Sequence, residues 1–169
     1  MNRIIIHCGD GRGKSSSGFG VVVRSLAHGK KVLAAQFFKP EKDAALKYLL
    51  EFSADNLTVR NYGKWYFADR PDAEAVEIYR NALADICKLI KENNYDTILL
   101  DEIFYTVNFG LLNVKEIINL LNSFDGKCFV LTGRNAPQEL LDIADTVSRI
   151  QCEKHAFEQG IKAQNGVEF

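Results

Sequence analysis

No two cysteines in this chain stand close enough to act together. Cys8, Cys87, Cys128 and Cys152 are scattered, with no Cys-x-x-Cys pair and no histidine at metal-ligand spacing. That excludes a zinc knuckle or a disulfide framework as the organising device and leaves buried reduced thiols. Long apolar runs are also missing. Ile4-Ile5-Ile6, just after Met1-Asn2-Arg3, is too short for a signal-peptide core or a membrane span, so the chain is expected in the cytoplasm. Net charge is nearly absent. The 21 Lys and Arg against 22 Asp and Glu leave −1, which gives no electrostatic footprint for nucleic acid or an anionic membrane. There is no internal repeat, linker or low-complexity stretch. What is present is an ordinary globular composition, 47% hydrophobic and 25% charged over 169 residues, which suits one domain spanning 1–169 that buries its core without staples.

Apolar runs and helical periodicity alternate along the chain. Strands are predicted at Arg3–Cys8, Lys31–Phe38, Leu57–Asn61, Thr97–Leu100, Lys127–Thr132 and Thr146–Gln151. Helices are predicted at Lys14–His28, Glu41–Phe52, Asp72–Asn93, Asn113–Ser123 and Pro137–Ala144, with Asp72 and Asn113 as N-caps. Tyr62–Pro71 reads as an aromatic-rich loop and Cys152–Phe169 as an irregular tail. The alternation implies an α/β fold: a mostly parallel sheet with helices on both faces and right-handed crossovers.

The first strand runs into Gly9-Asp10-Gly11-Arg12-Gly13-Lys14-Ser15-Ser16 and then a helix. Closely spaced glycines let backbone N–H groups cradle phosphate oxygens, and the helix adds its positive end. Lys14 supplies a point charge, and the Ser15 hydroxyl can ligate Mg²⁺. This is a phosphate loop with Cys8 where the outer glycine of the usual pattern would stand. A dinucleotide fingerprint is excluded, since position 14 is Lys. Asp101 and Glu102 follow the run Thr97-Ile98-Leu99-Leu100 and so stand at the carboxyl end of a strand, where ligands of open α/β sheets bind. One of the two is expected to serve a metal ion; the spacing does not say which. The alternative is a helix N-cap pair. His7 reads as a satisfied core histidine and His28 as a helix-end residue. No histidine is assigned to a metal.

These residues resemble the P-loop type of ATP:corrinoid adenosyltransferase. The phosphate loop is similar to that family's, which also lacks the outer glycine, although Ser15-Ser16 stand where Thr is common. Gly18-Phe19-Gly20, Ala27-His28-Gly29-Lys30-Lys31-Val32 and Gln36-Phe37 continue the likeness. Leu100-Asp101-Glu102 with Tyr105, Asn108 and Gly110 resembles the family's metal-site region. Leu131-Thr132-Gly133-Arg134-Asn135-Ala136-Pro137 resembles its second phosphate-contact loop. The ending Lys154-His155-Ala156-Phe157, then Gly160-Ile161-Lys162-Ala163-Gln164 and Gly166-Val167-Glu168-Phe169, is the most specific part, since a generic P-loop enzyme has no reason to carry it. Some members have a segment ahead of the first strand that helps cover the active site; this chain starts at the strand.

The resemblance implies a P-loop NTPase (RecA-like) architecture and an alkyl transfer. A Co(I) corrinoid attacks C5′ of an ATP that lies reversed in the loop, and triphosphate leaves. Lys14, the loop amides and Mg²⁺ (or Mn²⁺) offset the leaving charge, and Arg134 adds a fork of donors. Arg24 is a further phosphate candidate, against the alternative of a solvated surface arginine. Trp65 and Phe67 are the candidates to press on the corrinoid and exclude its lower axial ligand, against the alternative of core packing. The resemblance also implies an electron donor such as flavodoxin or reduced flavin, and a homodimer. Two other readings remain: a P-loop kinase or NTPase acting on another small molecule, and a non-catalytic ATP- and corrinoid-binding module.

Overall fold

The computed structural model describes residues 1–39, 41, 43–53, 55–63 and 72–167. Six strands, β1 (Arg3–Cys8), β2 (Val32–Phe37), β3 (Leu57–Tyr62), β4 (Thr97–Asp101), β5 (Cys128–Gly133) and β6 (Thr146–Arg149), form one sheet in the order β3-β2-β4-β5-β1-β6. Every pairing is parallel. A parallel pair needs a crossover, and helices supply it: α1 (Lys14–Ala27), α2 (Ala44–Ser53), α3 (Ala73–Asn93), α4 (Phe104–Asn108), α5 (Val114–Asn122) and α6 (Gln138–Ile143).

The central strands are buried throughout because both faces are covered, and they are apolar except for Gln36, Thr97 and Asp101. All six residues of β2 and all five of β4 are buried. Alternate side chains feed two cores. Leu33, Ala35, Phe37, Leu100 and Leu131 join Ile86 of α3, Ile117 of α5 and Leu140 of α6. Val32, Ala34, Leu99 and Val130 join Val22 of α1 and Leu46 of α2 on the other face. Edge strand β6 is exposed at all four positions.

The predicted elements are present with ends shifted by a few residues. Asp72 caps α3 by accepting from the Ala75 N–H at 2.6 Å, and Asn113 with Glu116 forms a capping box on α5. The five-residue α4 was not expected. His7 departs from expectation too: both its ring nitrogens are buried without a hydrogen-bond partner among the described residues, and burial holds its pKa below the usual histidine value.

Candidate active site

Parallel strands aim their carboxyl ends the same way, so the segments after β1, β2, β4 and β5 meet at one edge of the sheet. There they enclose a cavity of about 600 Å³. It is lined by the phosphate loop from Asp10 to Ser16, by Phe19, Lys39, Glu102 and Arg134, and by His155, Gly166 and Val167 of the tail. That volume is in the usual range for a cofactor-sized ligand.

The phosphate loop owes its shape to what lies beneath it. A Cβ on Gly9, at φ 116°, would sit 2.2 Å from the Ile150 carbonyl oxygen, and one on Gly11 would sit 2.5 Å from that of Gln151. The chain leaving β6 therefore runs directly under the loop. The Ile150 N–H donates to the Cys8 carbonyl at 2.7 Å, and the Gly11 N–H donates to the Ile150 carbonyl at 2.9 Å. The Gly11 amide is thus committed to the fold, which leaves the other loop amides to cradle phosphate. Gly13, at φ 110°, is the N-cap of α1, and nothing would meet its Cβ within 4 Å. Lys14 is only 8% exposed, and its ammonium donates to the Gly11 carbonyl at 2.7 Å. Burial lowers its pKa, partly countered by Glu102. A side chain so placed is a preformed cation at a helix N-terminus.

The two carboxylates after β4 differ. Asp101 is fully buried and does not line the cavity. Its Oδ1 accepts the Thr132 hydroxyl at 2.6 Å; its Oδ2 accepts from Lys39 at 3.0 Å and from Gln36 Nε2 at 3.3 Å. Glu102 turns the other way because its backbone is left-handed, at φ 63°. Thr132 holds that turn, its hydroxyl oxygen accepting the Glu102 N–H at 3.0 Å. Glu102 lines the cavity, yet its Oε2 is buried with no partner among the described residues. Burial and then Asp101 raise its pKa, while Lys39, Lys14 and Arg134 oppose the rise. Neither carboxylate caps a helix by its side chain: Ile103 is the N-cap of α4. Among the described residues no three His, Cys, Asp or Glu side chains converge. A Mg²⁺ ion here would therefore complete its shell with phosphate oxygens and water, as Mg²⁺ usually does. Glu102, which lines the cavity with Ser15 and carries a buried carboxylate oxygen without a partner among the described residues, fits that need.

Arg134 follows Gly133 at the end of β5, and Asn108 Nδ2 donates to the Arg134 carbonyl at 3.0 Å, which ties α4 to this loop. The tail closes the other side, where Arg12 hydrogen-bonds the Val167 carbonyl. Gly9 supports the loop without lining the cavity. Arg24 is a correction. Ten residues of helix separate it from Lys14, about 15 Å of rise, and it lines a different cavity with Arg3, His28, Lys30 and Lys127 near the amino ends of the strands. Trp65 and Phe67 lie outside the described residues. Lys39 and Asp43 are additions that no sequence motif marked, and Gln36, part of the stretch that resembles the family, gains a role as a donor to Asp101.

No helix among the described residues is long and apolar enough to cross a membrane. The profile of a family described as ATP:corrinoid adenosyltransferase BtuR/CobO/CobP matches residues 1–169. A corrinoid adenosyltransferase of Escherichia coli strain K12 is 33% identical over 98% of this chain and 85% of its own length. One from a Sinorhizobium species is 34% identical over 98% of this chain and 79% of its own. Corrinoid adenosyltransferase CobA of Salmonella typhimurium is 32% identical over 98% and 85%. With a phosphate loop, a cation-lined cavity and a family match along its whole length, the chain belongs to the ATP:corrinoid adenosyltransferases, enzymes whose substrates are ATP and a corrinoid.

Proposed function

We propose that this chain, acting as one domain, transfers the 5′-deoxyadenosyl group of ATP to the cobalt of a Co(I) corrinoid and releases triphosphate. The observation that carries the reading is the convergence on one cavity, at the end of a phosphate loop, of Lys14, Arg134 and Glu102, whose Oε2 has no hydrogen-bond partner among the described residues. In the reaction the cobalt electron pair forms the Co–C5′ bond as the C5′–O bond breaks, and that bonding pair leaves with the triphosphate. No proton moves, so no general base is required, and none is needed from the site's histidine, His155.

The protein's task is to hold a leaving group whose charge grows. Lys14, held by the Gly11 carbonyl, faces the cavity as a fixed cation that costs no reorganisation at the moment of reaction, and Arg134 lines the same cavity. Ser15 and Glu102 would hold Mg²⁺, which supplies further charge neutralisation on the phosphates when bound. Arg12 and the tail cover the loop and restrict water. The same reading gives Trp65 and Phe67 the corrinoid face, and includes a flavodoxin or reduced-flavin electron donor and a homodimer; these rest on the resemblance of the sequence to the family.

Product analysis tests the reading. With ATP, Mg²⁺ and a chemically reduced corrinoid, adenosylcorrinoid and triphosphate are expected in equal amounts. ADP and phosphate instead would make the chain a kinase or NTPase, and binding without any product would make it a carrier.

A further inference from the structure

Lys39 is held in the cavity by more than a flexible stem. The chain reaches it through Phe38, a non-glycine residue in the left-handed region at φ 60°. Such a conformation persists only where the surroundings enforce it, and it concentrates at functional sites. Here the enforcement is aromatic. Phe38 is 2% exposed and packs against Tyr79, Tyr105 and Phe109 at centroid distances of 4.8, 5.9 and 5.8 Å. The strained turn at the end of β2 directs the next side chain into the cavity that Lys14, Ser15, Glu102 and Arg134 also line.

The contacts of Lys39 leave it capacity to bind. Its ammonium lies 3.0 Å from Asp101 Oδ2, 3.6 Å from Asp43 Oδ2 and 5.9 Å from the centre of the Phe19 ring. Among the described residues only the first is a hydrogen bond, and an ammonium has three donors. The side chain is 29% exposed, whereas Asp101 is fully buried with both oxygens engaged. Asp101 takes three donors on its two oxygens, is fully buried and does not line the cavity, so a metal ion in the cavity does not reach it without a rearrangement. If the pair served only to neutralise a buried aspartate, no strained backbone would be needed to keep the lysine on the cavity side.

Resting on the reading that this cavity takes the triphosphate of ATP, we propose that Lys39 is a second phosphate-binding cation of the site, and that Asp101 positions it rather than serving as a metal ligand. Lys14 then meets the phosphates from the loop and Lys39 from the end of β2, in the cavity that Glu102 also lines.

The test is calorimetric binding of inorganic triphosphate at several Mg²⁺ concentrations. Lys39→Met strands a buried carboxylate, so the deciding variant is the double Lys39→Met/Asp101→Asn, which removes both charges and whose folding is checked by its melting temperature. It should bind triphosphate at least about ten-fold more weakly than wild type, the scale of one charge-assisted hydrogen bond, and Lys39→Arg should recover most of that. Asp101→Asn alone should leave the Mg²⁺ concentration for half-maximal binding unchanged, while Glu102→Gln raises it. Wild-type affinity in the folded double variant overturns the role of Lys39. A shift in Mg²⁺ requirement with Asp101→Asn as large as that with Glu102→Gln overturns the role of Asp101. Failure of wild type to bind triphosphate overturns both. A wild type that binds triphosphate through Lys39 yet makes no adenosylcorrinoid leaves this assignment standing and removes the proposed activity.

Discussion

Replacing Thr132 with valine tests whether one hydroxyl holds the two carboxylates after β4 in their different roles. Valine keeps the shape, so packing is nearly unchanged in a position with no solvent exposure. What goes is a donor to Asp101 Oδ1 at 2.6 Å and an acceptor for the Glu102 N–H at 3.0 Å. Leaving a buried amide unpaired costs about 1–3 kcal/mol, and a buried charged oxygen costs more. Asp101 keeps Lys39 and Gln36 on its other oxygen, which limits the second loss. The sum is about 3–5 kcal/mol, a sizeable part of a typical total of roughly 5–15 kcal/mol. At about 2–4 °C per kcal/mol for a chain of this size, the melting temperature should fall by roughly 6–20 °C. Thr132→Ser keeps the hydroxyl and loses one methyl, about 0.8 kcal/mol, or a few degrees. The assay is thermal unfolding of both variants in chelator, then triphosphate release at a temperature where both are folded. Valine should also lower turnover more than serine, because Glu102 loses the restraint on its left-handed backbone. If the two variants melt together, the hydroxyl bridge carries no weight and the reasoning fails.

Lys14→Ala should lower turnover by about 10²–10³-fold or more without loss of stability, since it removes a desolvated cation; near-normal triphosphate release would remove Lys14 from the site. Glu102→Gln should raise the Mg²⁺ concentration needed for half-maximal activity by at least about ten-fold, the scale of a lost metal ligand, and an unchanged titration would mean that Glu102 holds no metal. His7 is kept neutral by burial, so its folded pKa is depressed. The stability it contributes is present above the ordinary histidine value and is lost as pH falls through the folded one. His7→Val should flatten that acid-side fall in melting temperature; parallel curves for the two proteins would contradict it. Trp65→Ala and Phe67→Ala should impair adenosylation that starts from Co(II) and a reductant more than adenosylation of preformed Co(I), with ATP affinity unchanged. Equal losses in both assays together with a lowered melting temperature would mean core packing instead.

The strands were legible because burial on both faces writes itself as apolar runs, as in Val32–Ala35 and Ile98–Leu100. The phosphate loop was legible because its demands are local: glycines, then Lys14 and Ser15, between a strand and a helix. Helix α4 was not, since Phe104–Asn108 is too short for a periodic signal and Ile103 gives no side-chain cap. Lys39 was missed for a different reason. Its partner is set by the register of β2 on β4, which pairs Gln36 with Asp101, and no spacing along the chain encodes that register. Asp101 and Glu102 read as equivalent neighbours because their difference is a single backbone torsion. Arg24 was offered as a further phosphate candidate against the alternative of a surface arginine, and the length of α1 takes it to the far end of the helix.

The passage of residues 150 and 151 beneath the phosphate loop bears on when this protein becomes competent during its synthesis. β1 pairs only with β5 and β6, so Ile4, Ile5 and Ile6 have no strand partner until residues up to 133 have been made. At about 5–20 residues per second, that leaves the strand waiting on the order of ten seconds. The loop after it waits longer, since Gly9 and Gly11 take their shape against Ile150 and Gln151. On this reading a nascent chain carries its phosphate loop before that loop has the shape to hold a nucleotide. Phosphate binding arrives late, as a property of the finished sheet, and ATP can stabilise only chains that have already closed it.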